Sequence, residues 1–466
     1  MITGRAQVRT SRWTTASLAL PMLMASMDTS IANVALPTLA ESFGATFAQV
    51  QWVVVAYLLS LTCLIIGVGR LGDVVGRQRL LLAGLGLFAT TSMVCSLAPS
   101  LTVLILTRSL QGLGAAIVIS MTLALVAEVV PPARIGRTMG LLGTMSALGT
   151  ALGPSVGGMV IDVVGWRAIF LVNVPLGFLA IWLVRRISAT EIGSATRGRG
   201  FDARGAVLLT AALGTYALAM TSGRLALLVV AATALALFVR EERRAAVPLL
   251  DLTLLRDRQL SGGLAASLLI ATVIMTTLVV GPFYLAGALG LVPSSVGLVM
   301  ATGPLAAALA GMPAGRIVDR FGSRRVVIGA LCTVVAGLVA LGQAPGVAGY
   351  VGSIVILTTG YAAFQAANNT LVMACAGSRD RGLVSGLLSL SRNLGLITGA
   401  AAMGALFAVS AGDVANAAPS AVAAGARMAF AAAAVLAFAA LMIAAASTFA
   451  PERSRLRPVS LTQQRQ

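Results

Sequence analysis

Apolar runs of membrane-spanning length follow one another along almost the whole chain, separated by short polar segments. A helix needs about 20 mostly apolar residues to cross a bilayer. Such runs lie at 14–36, 50–68, 80–98, 101–121, 138–160 and 166–184. Two short ones follow at 205–222 and 225–239, joined only by Gly223 and Arg224. Six more lie at 262–285, 294–314, 326–341, 347–374, 382–408 and 428–447. Numbered in order, they are spans 1 to 14. The predicted fold is all-α and polytopic. It divides into a six-helix half (1–184), a linker carrying spans 7 and 8 (185–258), a second six-helix half (259–448) and a polar, basic tail (449–466).

The arginines support that count. With the N-terminus inside, the predicted outer segments carry only Arg167, Arg224 and Arg427. Arg108 and Arg392 fall within spans, and every other arginine lies on the inner side. This is the positive-inside bias, and a wrong span count would scramble it. Both termini are therefore expected to be cytoplasmic. Arg5, Arg9 and Arg12 precede span 1, which reads as an uncleaved first span rather than a removable leader.

Composition agrees. Of 466 residues, 58% are hydrophobic and 10% charged, with a mean hydropathy of +0.95. These values exclude a soluble enzyme, a disordered chain and a nucleic-acid-binding domain. All 33 basic residues are arginine, a usage that points to a GC-rich, bacterial genome. The net charge of +18 follows from topology and needs no acidic partner. There is no histidine, which excludes histidine relays and histidine metal sites. Cys63, Cys95, Cys332 and Cys375 have no ligand-like spacing and read as core residues. No cofactor or metal site is expected.

The chain also repeats itself. The segment Gly69-Arg-Leu-Gly-Asp73-Val-Val-Gly76-Arg77 returns as Gly315-Arg-Ile-Val-Asp319-Arg320-Phe-Gly322-Ser-Arg324, at an offset of 246. Pro99 and Pro345 share the offset. Both copies fall on the inner side, after spans 2 and 10. Same-side copies imply parallel six-span repeats about an axis normal to the membrane. Spans 7 and 8 are then an inserted pair.

Four motifs make a resemblance plain. Span 1 contains Met27-Asp28-Thr-Ser-Ile-Ala-Asn33-Val-Ala-Leu-Pro37. The loop after span 2 carries the repeated segment above. Span 4 contains Arg108-Ser-Leu-Gln111-Gly112-Leu-Gly114. Span 5 contains Gly149-Thr-Ala-Leu-Gly153-Pro154-Ser-Val-Gly157-Gly158. Together they resemble the major facilitator superfamily and, within it, the 14-span drug:proton antiporters, over nearly the whole chain. One departure is Val74, where the family usually has arginine; the second copy keeps Arg320. The resemblance implies a latch for the outward-facing state in the loop motif, comprising Gly69, Asp73, Gly76, Arg77, Gly315, Asp319, Arg320, Gly322 and Arg324. It associates the span 5 motif with export. It implies proton-driven export of hydrophobic drugs or natural products, cationic ones included, from a bacterial inner membrane. A dedicated exporter of one endogenous metabolite is the alternative. Small molecules, protons and lipid are the expected partners, nucleic acid is not, and the chain is expected to be a monomer.

Asp28 and Arg108 are the expected proton-coupling pair. Asp28 is the one acidic residue deep in a span, where an ionisable group is expensive and functional by default. Burial opposes its charge and a neighbouring cation supports it, so it can switch protonation. At 1.5 Å per residue Asp28 sits about 21 Å from the inner end of its span. Arg108 sits about 12 Å from the outer end of its own. In a core of about 30 Å the depths nearly coincide. With no second buried acid, a cationic substrate and the proton would have to share Asp28. Arg392 is expected to be structural, binding carbonyls or Asn393. Gly149, Gly153 and Gly157 share a helix face that admits a close neighbour, and Pro154 bends the helix. Asp73 is expected at the start of span 3, where free N–H groups favour a carboxylate. Substrate-pathway candidates are Asn33, Gln111, Tyr57, Phe283, Tyr284, Tyr361, Gln365, Asn368 and Asn369.

Overall fold

The computed structural model describes residues 12–130, 132–186, 203–222, 224, 226–244, 256–343, 346–375, 381–412 and 417–449. Among these the regular elements are helical: α1 (Arg12–Phe43), α2 (Phe47–Val50), α3 (Trp52–Val75), α4 (Arg77–Ser96), α5 (Leu101–Val129) and α6 (Pro132–Val164). They continue with α7 (Arg167–Leu171), α8 (Asn173–Arg185), α9 (Ala203–Ser222), α10 (Ala226–Glu242), α11 (Arg258–Phe283) and α12 (Pro293–Phe321). The last are α13 (Ser323–Gln343), α14 (Gly346–Ala374), α15 (Arg381–Thr398), α16 (Gly404–Ala411) and α17 (Pro419–Phe449). Two π-helical turns occur, Tyr284–Ala288 at the end of span 9 and Gly399–Met403 within span 13. Every predicted span is a helix or a helix pair in series.

Twelve helical segments among the described residues are long and apolar enough to cross a membrane. They are the twelve spans other than 7 and 8. Helix α10 has 17 residues, and the apolar part of α9 runs only from Val207 to Met220. Length therefore supports twelve crossings, and the expectation of fourteen rests on the arginine pattern. Helices α9 and α10 pack on each other. Leu209 and Leu213 of α9 and Phe238 of α10 share an apolar cluster with Cys63 of α3 and with Leu387 and Leu390 of α15. Tyr216 donates to Thr398 Oγ1 at 3.3 Å. The pair thus covers a seam between the two six-helix units.

The internal repeat is a repeat of packing. Gly76 ends α3 at φ 99° and Gly322 ends α12 at φ 81°. Each donates its N–H at 2.9 Å to a carbonyl four residues back, Gly72 or Val318. A side chain rarely adopts a positive φ, so the turn itself requires glycine twice. Asp73 lies in the last turn of α3, not at the start of span 3. The residue before α4 is Gly76, which has no side-chain cap to offer. The side chains of Asp73 and Arg70 lie outside the described residues.

The two units touch at the end that the arginines predict to be outer. A Cβ on Gly158 of α6 would fall 3.1 Å from Gly297 Cα of α12, and the reverse distance from Gly297 to Gly158 Cα is also 3.1 Å. Asp162 Oδ2 accepts from the Ser294 N–H at 2.9 Å. Phe47 packs edge-on against Phe283 at 4.7 Å and Phe407 at 5.0 Å. About five helical turns below Gly158, on the same face of α6, lies Gly140. A Cβ there would touch nothing within 4 Å, and the same holds for Gly143. Gly315 lies equally far below Gly297 on α12, and it too has open space. The halves are sealed at one end and parted at the other by a crevice.

Candidate functional site

The carboxylate of Asp28 sits inside the N-terminal unit, fully buried. Three donors converge on it. Arg108 Nη1 reaches Oδ2 at 2.7 Å, while Gln111 Nε2 and Asn173 Nδ2 reach Oδ1 at 3.0 and 2.6 Å. Arg108 is also fully buried, and its Nε donates to the Val53 carbonyl at 3.2 Å. Its Nη1 also donates to Gln111 Oε1 at 2.7 Å. The Tyr57 ring lies 4.3 Å from the guanidinium carbon, a cation–π stack in a site without water's screening. Gln111 completes its bonds through Ser92 Oγ at 2.7 Å and the Cys95 thiol at 3.6 Å. Five helices, α1, α3, α4, α5 and α8, each supply at least one group.

The expected coincidence in depth of Asp28 and Arg108 is therefore a direct ion pair. Its form differs from a two-pronged grip on the carboxylate. The guanidinium spreads over Asp28, Gln111 and Val53, and its Nη2 is buried without an acceptor. Breaking such a pair from one side leaves a buried, uncompensated charge. Asp28 is also no wall of the crevice. A cation in the crevice would not meet the buried Asp28 carboxylate, which removes the direct sharing of Asp28 between drug and proton in this conformation.

The position of α1 depends on the span 5 motif. A Cβ on Gly149 would lie 3.0 Å from Met27 N, one on Gly153 2.8 Å from Met27 O, and one on Gly157 2.5 Å from Ile31 Cγ1. These glycines let α6 lie directly on the helix that carries Asp28. Pro154 and Gly158 face α12, so one helix touches both the buried pair's helix and the seal between halves.

Several pathway candidates turn out to be structural. Gln111 and Tyr57 belong to the buried cluster. Asn33 is buried and donates to the Thr29 carbonyl of its own helix at 3.1 Å. Asn368 is buried and donates to Gly263 O of α11 at 3.1 Å. Phe283 belongs to the outer seal, and Tyr284 stacks on Tyr350 at 5.8 Å. Asn369 is exposed. Tyr361 and Gln365 are half-buried and hydrogen-bonded to each other. Arg392 is exposed and bonds neither a carbonyl nor Asn393 among the described residues, against expectation. Cys332 is exposed rather than core, and none of the four cysteines forms a disulfide. In the loop motif, Arg77 Nη1 donates to the Ala124 carbonyl at 3.2 Å and lies 3.5 Å from Glu128 Oε2, tying α4 to α5. In the second copy Asp319 and Arg324 are exposed, and Arg320 stacks on Phe321 at 5.4 Å.

Asn173, Ser92 and the Val53 carbonyl belong to the site without being among the residues expected from the sequence. Asn173 had a visible signal, an amide alone in the apolar run Phe170-Leu-Val-Asn-Val.

Known proteins sharpen this picture. Residues 18–284 and 262–466 match the family model described as Major Facilitator Superfamily. The chain is 35% identical over 343 residues to the multidrug resistance protein Stp of Mycobacterium tuberculosis, covering 72% of this chain and 64% of Stp. It is 32% identical to the drug efflux pump JefA of the same species, over 70% of this chain and 66% of JefA. It is 31% identical to the tetracenomycin C resistance and export protein of Streptomyces glaucescens, over 68% of this chain and 61% of that protein. Among solved structures, a bacterial homolog of the human lysosomal transporter Spinster superposes with a TM-score of 0.70. That match covers 96% of this chain and 98% of the homolog at 15% identity, and its likeness is one of fold.

Proposed function

Because the chain belongs to the major facilitator superfamily, a family of transporters rather than enzymes, we propose that it is a proton-coupled exporter of hydrophobic drugs or natural products. It works by alternating access in the bacterial inner membrane, with both termini cytoplasmic. The relatives named for drug resistance and export support the direction of transport. The arginine distribution supports the orientation, and with it a crevice that faces the cytoplasm.

The observation that carries the coupling is the donor set around Asp28. All three neighbours donate, so the carboxylate is satisfied only when ionised. A proton arriving on Oδ1 would oppose Asn173 or Gln111 and needs an acceptor. Asn173 Oδ1 is buried without a partner. Turning that amide over offers the acceptor and withdraws a donor. Protonation also removes the charge that holds Arg108 beneath Tyr57. Proton binding thus loosens the joint between α1, α5 and α8, and proton release re-forms it. Because α6 lies on α1 and on α12, a shift at Asp28 reaches the outer seal.

Everted vesicles test this reading. Uptake of a panel of hydrophobic compounds should collapse on adding an uncoupler, and Asp28→Asn should give no uncoupler-sensitive uptake. Uptake unaffected by uncoupler would sink proton coupling. The relative named for tetracenomycin C favours a second reading, one dedicated natural product. A single transported compound from a broad panel would select it.

A further inference from the structure

The crevice has a charge of its own, and it is positive. Arg392 lies on α15, eleven residues from its inner end, hence about 16 Å into the membrane. Its neighbours on the helix fix its direction. Ser391 bonds the Leu264 carbonyl of α11, and Gly395 lies against Leu268 and Ala271 of the same helix. Leu387 and Leu390 point away, into the cluster under α9. Arg392 is thereby turned inward, toward α14, and lies near enough to Tyr361 to act on it electrostatically. On α14, Gly360 and Phe364 pack outward on α13, while Tyr361, Gln365 and Asn368 share the face that turns to α11. The arginine is nonetheless exposed, and it makes no hydrogen bond or ion pair among the described residues. A structural arginine at this depth would be buried and saturated, as Arg108 nearly is. Asp28, the only acid deep in a span, is sealed away and neutralised.

We propose that Arg392, with Tyr361 and Gln365 beside it, is a binding subsite for an acidic group on an otherwise apolar substrate, a carboxylate or an ionised phenol or enol. The proposal rests on the export reading and narrows its substrate class. The guanidinium offers a planar pair of donors suited to a carboxylate, and the Tyr361–Gln365 pair adds polar reach at the same height. The apolar crevice takes the rest of the molecule. The charge balance is favourable. An anion leaving and a proton entering both move positive charge inward, down the potential of a cell negative inside.

The test uses three probes with one aromatic body: anthracene-9-carboxylate, its methyl ester and 9-anthracenemethylamine. Binding to the purified full chain is read by probe fluorescence, and export by everted vesicles of zwitterionic lipid. The wild type should bind the carboxylate about tenfold more tightly than the ester and should not prefer the amine. Arg392→Gln should remove the carboxylate preference while leaving ester affinity unchanged, and Arg392→Lys should keep part of it. A preference that survives Arg392→Gln, a wild-type preference for the amine, or no carboxylate preference at all overturns the subsite. Uncoupler-sensitive export of the ester alongside any of these results leaves the export reading standing. Carboxylate preference in binding without export of any probe counts against export and not against the subsite.

Discussion

The two six-helix halves share a scaffold and differ in chemistry. In the N-terminal half Gly149 and Gly153 lie on the Leu23 and Met27 carbonyls of α1; in the C-terminal half Gly395 and Gly399 lie on the Leu268 and Thr272 carbonyls of α11. Gly114 packs on Gly84 and Phe88, and Gly360 on Ala330 and Val334. The residue after Met27 is Asp28, and the residue after Thr272 is Val273. At the offset of 246, Arg108 and Gln111 become Ile354 and Leu357, all buried. In the other direction, exposed Arg392 corresponds to Ser146, which bonds Ser26 at 2.7 Å. Backbone-to-backbone contacts at glycine have been kept in both halves, while charge has been divided between them. The N-terminal half holds a sealed ion pair, proposed above to carry the proton, and the C-terminal half holds an exposed arginine, proposed above to face the crevice.

The sharpest way to break this comparison is to neutralise the sealed pair. Asp28→Asn keeps the volume and should still fold, yet uncoupler-sensitive efflux should fall to the vector background. Elution as a single sharp peak in size-exclusion chromatography checks the fold. Val273→Asp, at the matched position of the other half, should not restore coupling, because Ile354 and Leu357 supply no donors. Next in size is Arg108→Lys, which keeps the charge but loses the Nε bond to Val53 and the planar stack on Tyr57. Efflux should drop about tenfold, the worth of one charged hydrogen bond. Efflux equal to wild type would show that charge alone suffices.

Two smaller tests sharpen the shared scaffold. Gly153→Val and Gly399→Val should each cost about 1–3 kcal/mol through overpacking, read as matched losses of thermal stability. The Gly153 variant should also lose coupling, since it displaces the helix bearing Asp28. Gly76→Ala and Gly322→Ala should each cost about 1–3 kcal/mol for placing a side chain in a sparsely populated positive-φ region. Unequal losses within either pair would mean that the halves do not share their packing frame.

How much of this could be read from the sequence depended on what fixes each feature. Helix positions follow from apolar length, and all fourteen runs are helical, although spans 7 and 8 are short for a crossing. The pairing of Asp28 with Arg108 was legible because depth along a helix is a simple rise per residue. Facing was not, because it depends on neighbours. Tyr57, Asn33 and Asn368 carry pathway chemistry but point into packed interfaces. The π-helical turn at Gly399–Met403 also shifts the face of span 13 without a sequence signal. Asn173 stands out as a lone amide in an apolar run, but one polar residue carries no periodicity to say which way it faces. Arg392 was misjudged for the opposite reason: an arginine in a span is usually saturated, and only the open crevice shows that this one is not.

Asp28 alone is proposed to take and give the coupled proton. Substrate-induced proton release from purified protein in weak buffer, followed from pH 5 to 9, tests it most directly. Release is expected from the wild type and none from Asp28→Asn, with substrate still bound. Proton release from Asp28→Asn on the scale of the wild type would contradict it and place the coupling site elsewhere.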